Sequence, residues 1–132
     1  MNQSAAAHAY KEEAFQNAPP LKIVRLMYQG ALRFIDQAAA SDPRDPRSPF
    51  IERLTRADAV VAELRLALDA GAAPQVAAEL ERLYLFVESS LQRALVERSL
   101  EPLPGARNVL ATLLEAWSQV ELEADPSASG AS

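Results

Sequence analysis

The chain has 132 residues, 49 % of them apolar, no cysteine, and a formal charge of −5. That length suits one domain able to bury about two thirds of its unfolded surface, and the missing cysteines exclude disulfides and thiolate metal sites. The acidic balance argues against a nucleic-acid binder, which shows a basic face or stripe.

Glycine is scarce, and apolar residues recur at helical spacing with no alternating strand pattern. The expected fold is all-α: an antiparallel up-down four-helix bundle with a short additional N-terminal helix. No cationic segment followed by an apolar run opens the chain, so no secretory leader is expected. No charge-free apolar run is long enough for a membrane span, and a cytoplasmic protein without membrane insertion is the expectation.

Residues 1–7 and 125–132 are small and polar and read as disordered tails of a single domain covering 1–132. Residues 8–17, HAYKEEAFQN, form a short helix with Tyr10 and Phe15 as apolar anchors. Ten residues are marginal alone in water, so this piece orders only by docking. It serves as a plain cap on the bundle or as a detachable lid over a binding surface.

The first long helix runs from about Pro20 to Ala40, opened by Pro19 and Pro20, which suit a first turn. Its polar residues Lys22, Arg25, Gln29, Arg33 and Asp36 fall in one thin line. Leu21, Ile23, Val24, Leu26, Met27, Tyr28, Ala31, Leu32, Phe34 and Ile35 fill the rest of the circumference. One core requires an apolar stripe of only ~100°. The helix is therefore either the centre of the bundle or the donor of an apolar side to a partner.

The segment 41–49 holds three prolines and reads as a connector rather than a site. A second helix covers about Phe50 to Ala70, with Ile51, Leu54, Ala57, Val61, Leu64 and Leu68 inward and Gly71 placed to end it in a left-handed conformation. A third, from Pro74 to about Ser99, turns inward Val76, Leu80, Leu83 or Tyr84, Val87, Leu91 and Ala94. Its Leu85, Phe86, Leu95 and Val96 add apolar surface on other sides. Residues 100–105 break the chain again, and a fourth helix from about Ala106 to Glu123 buries Ala106, Leu110, Leu113, Trp117, Val120 and Ala124.

Little here suggests catalysis. The one histidine, His8, lies in the N-terminal segment, and no Glu-x-x-His motif, nucleophile elbow or phosphate loop is present. No metal or cofactor is expected. Paired carboxylates such as Glu12 and Glu13, or Glu79 and Glu81, fall where a solvated face would be. The chain reads as a binding protein and not an enzyme, and its informative feature is surplus apolar surface.

Three stretches, in order, resemble the FliS family of flagellar secretion chaperones. The first has Ala9 and Tyr10, then Ala18 and Pro20, then Tyr28, Gly30 and Ala31 within LMYQGALRFI. The second is LERLYLFVESSLQRA, through Leu80, Leu83, Tyr84, Phe86, Leu91 and Ala94. The third has Leu113, Ala116 and Trp117. The chain departs from that pattern at Pro19, Gln29, Leu85, Leu95 and Leu114, and in its proline-rich loop.

The resemblance implies a cytoplasmic bundle that binds the disordered C-terminal segment of flagellin, wrapped as extended chain and short helices. Bound this way, the subunit stays unpolymerised and ready for the flagellar export apparatus. The chaperone itself would be a monomer or weak homodimer. The partner-binding residues expected on this reading are Tyr10, Ile23, Met27, Tyr28, Phe34, Leu83, Tyr84 and Phe86. A helical adaptor for another protein, and a small-ligand or catalytic bundle, are the rival readings.

Overall fold

The computed structural model describes residues 21–71 and 73–124. They form four helices: α1 Leu21–Ala39, α2 Phe50–Leu66, α3 Pro74–Glu97 and α4 Leu103–Ala124. The expected tails, the 8–17 helix, Tyr10 and the proline opening of the first helix lie outside the described residues. Among the described residues the fold is an all-α bundle.

Each helix packs on two neighbours, α1 on α2 and α4, α3 on α2 and α4. The diagonal pairs α1–α3 and α2–α4 share no backbone contact, so the helices enclose a single core in a ring. Val24, Tyr28, Ala31, Leu32 and Ile35 of α1 line it, and Leu54, Ala57, Val61 and Leu64 line it from α2. Val76, Leu80, Tyr84, Val87, Leu91 and Ala94 enter from α3, and Ala106, Leu110, Leu113, Trp117 and Val120 from α4. All recur at intervals of three or four, the spacing that keeps one helical stripe on the core.

Three expectations need correction. Ile51 points outward at 40 % exposure, and Phe50 takes the inward position at 1 %. Phe50 stands four residues before Leu54 and so lies on the same stripe, whereas Ile51 is turned toward the outer edge. Gly71 does not adopt a positive φ: α2 has already ended at Leu66, and the Gly71 amide donates to Asp69 Oδ1 at 3.0 Å in a side-chain-closed turn. The left-handed cap belongs instead to Arg98 (φ 51°, ψ 54°), whose amide donates to the Ala94 carbonyl at the end of α3. Finally, α4 begins at Leu103, not Ala106, because Pro104 falls in its first turn, where a missing N–H leaves no helical bond unmade.

The proline-rich connector is ordered by its aspartates. Asp42 Oδ1 accepts from the Arg44 amide and Asp45 Oδ1 from the Arg47 amide, each at 2.9 Å. The repeated Asp-Pro-Arg thus makes two successive Asx turns, with Ser48 Oγ closing onto the Asp42 carbonyl at 2.6 Å.

Candidate partner-binding surface

The eight expected partner-binding residues divide by position. Tyr28 and Tyr84 are inside, 0 % and 2 % exposed. Their hydroxyls meet at 2.5 Å, and the Trp117 indole N–H donates to the Tyr28 oxygen at 2.9 Å. The two rings are tilted at 48° with centroids 6.4 Å apart. Burial raises the Tyr28 phenol well above its usual range, and the neighbouring Tyr84 adds to the shift. Both tyrosines are core residues with no side-chain surface to offer a partner in this conformation. The resemblance names both as partner-binding residues; their burial instead makes them core, which for Tyr84 is the inward option that the spacing of α3 leaves open.

Ile23, Met27 and Phe34 share the outer flank of α1. Each is two residues, about 200° of helix, from Arg25 or Asp36, which reach α4. Arg25 Nε donates to Glu121 Oε2 at 2.6 Å, and Arg107 grips Asp36 at 2.7 and 3.2 Å. Ile23 is 47 % exposed, while Met27 and Phe34 are half-buried and pack against the core edge. Leu26, also about half exposed, extends this flank. The choice between a central α1 and a partner-facing α1 thus resolves toward neither extreme: two sides are packed, and the outer one stays apolar.

Leu83 and Phe86 lie on a different flank. Phe86 is two residues before Glu88, which holds Arg65 of α2, so Phe86 turns away from α2. Its ring tip lies 3.6 Å from where a Cβ on Gly105 would stand, over the first turn of α4. It remains 48 % exposed, and Leu83 is half-buried. The candidate residues therefore form two apolar flanks on opposite sides of the ring, one along α1 facing away from α4, the other along the α3–α4 seam.

Between α1 and α4 runs an open groove of about 460 Å³, lined by Gln29, Leu32, Arg33, Asp36, Gln37, Ala40 and Leu114. The Arg25–Glu121 and Asp36–Arg107 pairs bracket it. No described helix is long and apolar enough to cross a membrane.

The chain is similar to known proteins over most of its length. The family model "Flagellar protein FliS" matches residues 1–124. The flagellar secretion chaperone FliS of Campylobacter jejuni subsp. jejuni serotype O:6 is 30 % identical over 123 residues, covering 91 % of this chain and 94 % of that protein. The bundle, the ordered signature stretches and this match agree, and the chain belongs to the FliS family.

Proposed function

We propose that this protein is a cytoplasmic flagellar secretion chaperone that holds the C-terminal segment of flagellin, keeping it from premature polymerisation and competent for export. The observation that carries this reading is the pair of opposed apolar flanks, Ile23, Leu26, Met27 and Phe34 on one side and Leu83 and Phe86 on the other. A compact partner domain would cover one flank. A long, unfolded segment reaches both by wrapping the bundle.

The mechanism is competition for apolar surface. Each ~100 Å² of apolar area removed from water contributes roughly 2.5 kcal/mol before ordering costs. Those costs are high for a disordered client, so the client must cover a wide area. The chaperone's flanks occupy client stripes that would otherwise pair with other flagellin subunits. Tyr28 and Tyr84 contribute from behind the surface by fixing how α1 and α3 present their outer sides. Tyr10 is assigned to the same partner surface, and the loaded chaperone, monomer or weak homodimer, presents its client to the export apparatus.

Titration calorimetry with a peptide from the C-terminus of the cognate flagellin tests the proposal. Saturable heat with a negative heat-capacity change is expected. Absence of heat at tens of micromolar peptide would remove the flagellin assignment.

A further inference from the structure

Two of the glycines among the described residues have a local reason. Gly71 donates its amide to Asp69 Oδ1 in a turn, and Gly105 lies in the first turns of α4 beneath the Phe86 ring. Gly30 has none. It stands in the middle of α1 without a positive φ, where alanine is the more favourable residue because glycine loses more freedom on folding. A Cβ built on Gly30 would meet no described atom within 4 Å, so no packing inside the bundle demands the missing side chain.

Its position is on the outer flank of α1. Ile23 stands two turns before it, Leu26 one turn before and Phe34 one turn after, all on one helical stripe. Ile23 and Leu26 are about half exposed, and Phe34 packs on the core edge. Helical side chains lean toward the N-terminus, so Phe34 is the residue placed to cover Gly30, yet no atom of it comes within 4 Å of that Cβ position. From Leu26 to Phe34 the helix rises about 12 Å, with bare backbone midway. The flank is therefore notched and not a continuous ridge.

We infer that this notch receives one bulky apolar side chain of the client segment, with Leu26 and Phe34 bounding it along the helix. The inference rests on the flagellin reading above, which lays the client on this same flank, and gives that reading a register. A continuous apolar ridge supplies area to cover but no position to recognise. A gap one residue long admits a single knob at a fixed point and lets the client's backbone approach α1 more closely than a side chain at position 30 would allow. That close approach is the physical reason for a glycine that the bundle itself does not require.

The test compares the full wild-type chain with Gly30→Ala and Gly30→Leu, by thermal unfolding and by titration calorimetry with the flagellin C-terminal peptide. Both variants should melt at or above the wild-type temperature, since each residue suits a helix better and its side chain enters open space. Gly30→Leu should bind the peptide at least about tenfold more weakly, and Gly30→Ala about threefold more weakly. A plain apolar stripe predicts the reverse, because leucine adds apolar area for the client to cover. Equal or tighter binding by Gly30→Leu would overturn the notch and leave the flagellin reading standing, whereas a wild-type chain that gives no heat would remove both. A lower melting temperature for Gly30→Ala would show that the fold itself needs the glycine. A different sedimentation of Gly30→Leu without peptide would assign the notch to a second copy of the chain. Either result would also overturn the inference.

Discussion

Tyr28 and Tyr84 stand on helices that share no backbone contact, yet their hydroxyls meet 2.5 Å apart in the centre of the bundle. Two phenols laid end to end span the diagonal between α1 and α3. Trp117 of α4 donates into the same oxygen, so one buried hydroxyl ties three helices together. Polar groups this deep are worthwhile only when satisfied, and a satisfied network fixes one arrangement of the elements that carry it.

Removing the Tyr28 hydroxyl is therefore a test of the core. In Tyr28→Phe the Trp117 N–H loses this acceptor, and a loss of about 1–3 kcal/mol is expected. Tyr28→Ser, which also opens a cavity, should cost about 3–5 kcal/mol. Urea unfolding measures both. A Tyr28→Phe midpoint equal to wild type would show that the hydroxyl contacts contribute nothing.

Alkaline pH probes the same contact from another direction. The folded state raises the Tyr28 phenol above its usual range, chiefly by burial. The unfolded chain thus releases that proton at lower pH than the folded one. Stability from this group is complete below the ordinary phenol range, about pH 10, and falls as pH rises beyond it. Thermal unfolding across that range should show the decline, and Tyr28→Phe should flatten it. An equal slope in the variant would assign the decline to other groups.

Arg98 is a third site with a definite expectation. It ends α3 at φ 51°, a conformation costing an L-residue about 1–2 kcal/mol relative to right-handed backbone. Its side chain is exposed, so Arg98→Gly relieves the backbone without unpacking the core. Part of that gain is offset by the looser unfolded chain, leaving a rise of up to about 1 kcal/mol. Chemical denaturation showing a loss instead would mean that the arginine side chain stabilises the cap.

Asp58 gives a pH-dependent outcome at moderate acidity. Burial, and then the nearby Glu88 charge, raise its carboxyl above the usual range, with Gln92 and Arg65 opposing. A carboxyl raised in the folded state makes its contribution at low pH and loses it as pH rises past the ordinary carboxylate range. Asp58→Asn retains an acceptor for Gln92 and removes the repulsion. It should be neutral to modestly stabilising at pH 7, with the difference shrinking toward pH 4. Destabilisation at pH 7 would show that attraction to Arg65 outweighs repulsion by Glu88.

The helical class was legible from spacing because Leu54, Ala57, Val61 and Leu64 leave only one face consistent with a core. Rotation within a residue or so was not. Phe50 and Ile51 are neighbours, both large and apolar, and only packing on α1 and α3 decides which turns in. Helix ends were less legible still. A glycine at position 71 suggested a left-handed cap, but the helix had already stopped, and an arginine carries that conformation elsewhere. For the candidate site, Ile23, Phe34 and Phe86 count as surplus apolar surface in the sequence because they lie off the main seams, and the structure leaves Ile23 and Phe86 about half exposed while Phe34 packs on the core edge. The inward position of Tyr28 was not legible, since a helix apolar around most of its circumference does not say which aromatic turns in; for Tyr84 the spacing left the choice with Leu83 open, and only the packed helices bring the two hydroxyls and the Trp117 N–H together inside.

The most direct measurement compares two flank variants with a core variant. Binding of the flagellin C-terminal peptide and melting temperature are recorded for Ile23→Ser, Phe86→Ser and Tyr28→Phe. The account predicts that each flank variant weakens binding by about tenfold or more while melting near wild type, and that Tyr28→Phe melts lower. Flank variants that bind the peptide as tightly as wild type would contradict it.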